Sequence, residues 1–170
     1  MTFEDPCTDS QITIGAALLP SLEITHIVWD NDLSIALDSS YVSSAAETGS
    51  FTCPTIEYTL VCYDGSAYVD CDIIGDSGYS ASYDFLKMSS WFSIDSDTFQ
   101  VQTPIPMATQ TLSYIGTNYL RIIANHQGMT TYGSLDFTVI LIDYCFNAAV
   151  SVPTDYFTPN SYSLNIGYSA

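Results

Sequence analysis

Apolar and polar residues alternate along this chain in short runs, and the runs are separated by clusters of Gly, Pro, Asn, Asp and Ser. In IEYTLVCY (56–63) the residues Ile56, Tyr58, Leu60 and Cys62 share one face, and in LDFTVILI (135–142) Leu135, Phe137, Val139 and Leu141 do the same. A period of two is the signature of a strand with one buried face. The pattern predicts strands near 11–14, 22–29, 33–37, 56–63, 67–74, 91–94, 98–103, 117–125, 135–142, 148–152 and 161–168. Turns are marked by YDGSA (63–67), GDSG (75–78), DSD (95–97) and NHQG (125–128). No window carries a capped apolar stripe at helical spacing. Many short strands without helices predict an all-β protein, a β-sandwich of Ig-like type.

Charge restricts the partners. Nineteen acids stand against two bases, Lys87 and Arg121, for a net charge of −17. Such a surface repels nucleic acid and anionic membranes, and it repels copies of itself unless apolar contacts, covalent links or cations offset the repulsion. Only 12% of residues are charged, so Ser, Thr and 13 Tyr must cover much of the surface. That chemistry suits an extracellular protein and allows O-glycans, whereas no Asn-x-Ser/Thr site is present. The five cysteines include no C-x-x-C pair, which favours disulfides in an oxidising compartment over zinc. No apolar run is long enough to span a bilayer as a helix. MTFEDPC at the amino end lacks a leader's apolar core, so a secreted form is expected to be a mature or excised piece.

The two ends share a grammar. Cys7 in DPC and Cys145 in DYC each follow an acid and one spacer. Placing Cys145 on Cys7 lays Val150 and Val152 on Ile12 and Ile14, and two residues of slip lay Tyr162 and Leu164 on Leu22 and Ile24. On this reading residues 1–144 are one sandwich and residues 145–170 are the opening strands of a second repeat, or a donated strand segment. Two strands cannot bury their faces alone. They are expected to complete a neighbouring copy, with Cys145, Val150, Val152, Tyr162, Leu164 and Ile166 at the contact between subunits.

FSIDSDTFQVQT (92–103), GTNYLRIIANHQG (116–128) and LDFTVILIDYC (135–145) resemble the second half of cadherin-like domains, the dystroglycan-type variety in particular. The matching positions are Phe92, Ile94, Asp95, Thr98 and Val101, then Tyr119, Arg121, Ile123, Asn125 and Gly128, then Phe137, Val139, Leu141 and Asp143. CPTIEYTLVCYDGS, with DPC and DYC beside it, is similar to a tandem repeat of surface proteins from microbial eukaryotes. The resemblance implies an extracellular Ig-like sandwich used for adhesion or surface structure, without catalytic residues. Calcium-binding cadherins hold metal at domain junctions through acidic linkers, but here the junction offers only Asp143. The loop acids Asp30, Asp32, Asp95 and Asp97 read as solvated turn residues. No cofactor is expected, calcium being the one possibility.

Catalytic material is thin. His26 is expected on a sheet surface and His126 in a turn, neither beside a nucleophile motif, and paired carboxylates for glycoside cleavage are outweighed by turn acids. No enzyme is expected. Five cysteines allow fifteen arrangements of two bridges. Cys62 and Cys71 flank the YDGSA turn and could close it, in which case Cys7 with Cys53 would tie the first strand to the strand beginning at Ile56. The expected function is a structural subunit of an extracellular filament or surface array, joined head to tail by strand exchange. The alternative is an adhesion or carbohydrate-binding module of a larger surface protein.

Overall fold

The structure, a computed structural model, describes residue 7 and residues 11–28, 30–44, 53–74, 87–102, 114–127 and 132–143. Among the described residues there are ten strands: β1 (Ile12–Ile14), β2 (Glu23–Ile27), β3 (Leu33–Ala36), β4 (Val42–Ser44), β5 (Ile56–Tyr63), β6 (Tyr68–Asp70), β7 (Phe92–Asp95), β8 (Thr98–Val101), β9 (Gly116–His126) and β10 (Tyr132–Ile142). Their helical content is limited to three-residue 3₁₀ turns at Ala16–Leu18, Ser39–Tyr41 and Met88–Ser90.

The strands form a sandwich. One sheet has the order β2-β10-β9-β5-β6, the facing sheet has the order β3-β8-β7, and β1 pairs with β4 in a two-stranded ribbon. All pairings are antiparallel except β2 with β10, which run parallel with Thr138 opposite Glu23 and Ile142 opposite Ile27. An early strand that joins the last strand's sheet, with the remaining early strand in the opposite sheet, gives the crossed connectivity of Ig-like sandwiches. The chain is therefore an all-β, Ig-like sandwich.

Alternation places the core between the sheets. Leu120, Ile122 and Ala124 of β9 and Phe137, Val139 and Leu141 of β10 are buried against Phe92, Phe99 and Val101 of the smaller sheet and Trp91 just before β7. Phe99 and Phe137 meet edge to face across the interior, with ring centroids 5.1 Å apart and planes at 89°. Trp91 packs on Tyr114 at 6.0 Å. Its buried indole N–H has no hydrogen-bond partner among the described residues, a cost that the packing of its large ring offsets.

The turns follow from local chemistry. Between β5 and β6 the Asp64 carboxylate accepts the N–H groups of Ser66 and Ala67 at 2.7 and 2.8 Å. These bonds hold its pKa below the usual carboxylate range, the Ala67 N–H first and then that of Ser66. Gly65 beside it has φ +101°, a conformation open to glycine. The β7–β8 hairpin turns on Ser96-Asp97, with φ 56° at Ser96, the sign required at the first position of a type II′ turn. β1 lies so close on β10 that a Cβ on Gly133 would stand 2.5 Å from the Ile12 carbonyl oxygen.

Candidate functional site: a lateral cleft and a tyrosine face

Two disulfides brace the sandwich. Cys7 joins Cys53, with Cα atoms 5.6 Å apart, and Cys62 joins Cys71, with Cα atoms 5.0 Å apart. Neither crosses between the two sheets, so the sheets are held face to face by packing. The first bridge closes a separation of 46 residues. A loop of that length restricts the unfolded chain by about 4 kcal/mol in the chain-entropy account. It fixes the segment before β1 to the entry of β5. Cys145, the expected inter-subunit cysteine, lies outside the described residues, as do Val150, Val152, Tyr162, Leu164 and Ile166.

Both histidines have structural roles that their sequence context hid. His126 does not sit in a turn but ends β9, and it is buried. Its Nδ1 lies 2.6 Å from the Pro54 carbonyl oxygen and its Nε2 lies 3.0 Å from the Ser44 hydroxyl. A carbonyl can only accept, so Nδ1 carries the proton and, in the neutral ring, Nε2 accepts from Ser44. The ring thereby ties β9 to β4 and to the residue after Cys53. His26 is not on a sheet surface: it points inward with Ile24, because β2 is locked to β10 in the register that buries that face. Its buried Nε2 has no hydrogen-bond partner among the described residues. Burial lowers its pKa, and the charges of Asp30 and Asp32 oppose that shift in part.

A cleft opens on the flank where β5 passes β7. β6 covers only Val61–Tyr63 of β5, so along Ile56–Leu60 that edge of the large sheet carries no strand among the described residues. β7 is likewise the outer strand of its sheet among the described residues. A cavity of about 1010 Å³ lies here against Ile56 and Tyr58, with Glu57, Ser39 and Asp97 at its rim. A second depression of about 220 Å³ shares Tyr58 and Thr59 and continues past Leu60 to Ile94, with Asp70 and Asp72 beside it. The floor is apolar and half-buried while the rim is acidic. Burial raises the pKa of the Tyr58 phenol, and the charge of Asp97 adds to the effect.

The outward face of the large sheet carries different chemistry. Tyr68 of β6 stands opposite Tyr63 of β5, and Tyr119 of β9 follows beside Tyr63. Ring centroids step 5.4 Å from Tyr68 to Tyr63 and 6.2 Å from Tyr63 to Tyr119. The Arg121 guanidinium lies 4.0 Å over the Tyr68 ring. It also grips Asp136 of β10 in a fork, Nε to Oδ1 at 2.5 Å and an Nη to Oδ2 at 2.9 Å. The bidentate contact raises the Arg121 pKa and holds the Asp136 carboxyl below its usual range. Sequence reasoning singled out Tyr119 and Arg121 only as motif positions and passed over Tyr63, Tyr68 and Asp136. The available signal was alternation: with Leu120 and Ile122 inward, Tyr119 and Arg121 must point outward.

The described residues bring no group of three or more His, Cys, Asp or Glu side chains together as a metal site, and no helix among them is long and apolar enough to cross a membrane. No family model matches the chain, and no curated protein matches it. Among solved structures it is similar to the solution structure of the PKD domain (329–428) from human KIAA0319, at 12% identity and a TM-score of 0.35, over 91% of this chain and 96% of that one.

Proposed function

We propose that this chain is a non-catalytic structural subunit of an extracellular filament or surface array, and that copies join by strand exchange, residues 145–170 of one entering the lateral cleft of the next. The observation that carries this reading is the cleft itself. Ile56, Tyr58, Leu60 and Ile94 offer an apolar floor beside strand edges that carry no strand among the described residues. An extended segment laid there gains main-chain hydrogen bonds from an edge and seats alternate side chains on the floor.

Charge permits the segment. Of the 19 acidic residues only Asp155 lies beyond residue 145. Glu57, Asp70, Asp72 and Asp97 border the cleft, so a stretch with a single acid approaches it with little repulsion. Giving and receiving surfaces differ, so the contact propagates and does not close on itself. Two disulfides suit an oxidising, extracellular setting. The cadherin-like resemblance of the stretch from β7 to β10 supports a role at surfaces.

Electron microscopy and light scattering of the full chain test the proposal. The chain should form rows of copies at a fixed axial rise. Deleting 146–170 should leave folded protein that does not assemble. A full chain that stays monomeric at high concentration, or a deletion variant that still forms rows, overturns it.

A further inference from the structure

We infer that the outer face of the five-stranded sheet binds a neutral oligosaccharide, with Tyr63 and Tyr119 as stacking faces set nearly at a right angle and the Arg121–Asp136 pair, seated on Tyr68, as its polar anchor. The inference does not depend on strand exchange. Isolated exposed tyrosines are ordinary, but here three stand side by side across β6, β5 and β9, with Tyr63 and Tyr119 37% and 51% exposed. Tyr63 and Tyr119 each offer an apolar face and a hydroxyl at low conformational cost, while the Arg121 guanidinium covers a face of Tyr68. Their centroids are 6.2 Å apart and their planes stand at 86°. Such a corner suits a pyranose, whose apolar C–H face stacks on one ring while its hydroxyl rim meets the edge of the other.

The anchor has the complementary polarity. A guanidinium has five N–H donors, of which the fork to Asp136 uses two. Each Asp136 oxygen keeps acceptor capacity beyond its bond to Arg121. Donors and acceptors thus lie next to one another, which is what sugar hydroxyls, donor and acceptor in one group, require. The pair is held in place by Tyr68 beneath the guanidinium and by the β9–β10 register that sets Asp136 opposite Arg121.

Charge excludes the other occupants. An anionic glycan would have to approach a chain of net charge −17 whose Arg121 is already neutralised by Asp136. A basic protein segment would compete for Asp136 and set its own charge against Arg121. A second copy would bring its own −17.

The experiment uses the full chain on immobilised neutral hexaoses (β-1,4-glucose, β-1,3-glucose, β-1,4-mannose and β-1,4-N-acetylglucosamine) and on oligogalacturonate, followed by titration calorimetry with the best of them. At least one neutral hexaose should bind saturably and oligogalacturonate should not. Tyr63→Ala and Tyr119→Ala should each weaken binding about tenfold with the melting temperature unchanged. Tyr41→Ala, at an exposed tyrosine outside this sheet, should leave binding intact. Assembly is followed in parallel by microscopy, so loss of rows and loss of sugar binding are read separately. The inference is overturned if none of the four hexaoses binds, if oligogalacturonate binds more tightly, or if the two tyrosine variants bind like the parent. It is also overturned if those variants alter only the association of copies.

Discussion

The contact between Phe99 of β8 and Phe137 of β10 is the sharpest test of how the two sheets face each other. No disulfide joins the sheets, so their alignment depends on such contacts. Phe99 is fully buried and Phe137 is 3% exposed, so neither ring can find water as a substitute partner. Replacing either with leucine keeps most of the apolar transfer energy. It loses the edge-to-face contact and leaves a small void, at a cost of about 1–2 kcal/mol each. An aromatic pair in T geometry contributes about 0.5–1.5 kcal/mol beyond area burial. That term is lost once, whether one ring or both are replaced. The Phe99→Leu/Phe137→Leu double variant should therefore be less destabilised than the sum of the single variants by about 0.5–1.5 kcal/mol. Urea unfolding of the oxidised protein, with slopes checked for constancy, measures all four corners of the cycle. Additivity to within about 0.3 kcal/mol would refute the facing arrangement, because residues that do not touch show no coupling of this size.

Two further outcomes follow from particular residues. Gly133→Ala drives a Cβ to 2.5 Å from the Ile12 oxygen and 3.0 Å from the Ile12 carbonyl carbon, both backbone atoms that cannot rotate away. It should cost about 1–3 kcal/mol and open the β1–β4 ribbon to limited proteolysis; a melting temperature equal to the parent's would show that β1 does not lie on β10. His26, with its pKa lowered by burial, takes up a proton in the unfolded chain near its ordinary value of 6.5 before it does so in the folded one. Stability should accordingly fall as pH drops through 6.5 toward the lower folded value and then level off. The loss between pH 8 and 5.5 should shrink in His26→Phe, and identical pH profiles for the two proteins would rule out the buried, unpartnered imidazole.

Local signals carried much of the architecture. β5 spans the expected 56–63 because strict alternation, a preceding Pro54 and the Asp64-Gly65 turn all agree there. β10 begins three residues earlier than alternation from Leu135 suggests, since Tyr132, Gly133 and Ser134 pair with Asn125, Ala124 and Ile123 of the long β9. β4 escaped notice: VSS in a serine-rich stretch has one apolar residue, and it becomes a strand through the ladder with β1 and the His126–Ser44 bond. Such partners are distant in sequence, and no window reading contains them. The tyrosine face shows the same limit. Each outward position could be read from its own strand, but the convergence of Tyr68, Tyr63, Tyr119, Arg121 and Asp136 depends on four strands in register. Disulfide choice was open for that reason too, until folding set Cys7 beside Cys53 and Cys62 beside Cys71.

β5 shows how one sequence can serve both proposed surfaces without conflict. Ile56, Tyr58 and Leu60 turn toward the interior and the lateral cleft, while Tyr63 turns to the outer face, and a shift of one residue in register would exchange them. The long β5–β9–β10 ladder forbids that shift, because it would expose Cys62, Leu120 and Phe137 together. The two surfaces are therefore fixed on opposite sides of the same sheet. A strand added in the cleft leaves the tyrosine row open to solvent. Joining copies end to end would then repeat the row at each axial step, and a weak site for one oligosaccharide would become a strong one for a polymer that reaches several copies. Assembly and recognition, on this account, are two consequences of the same alternation.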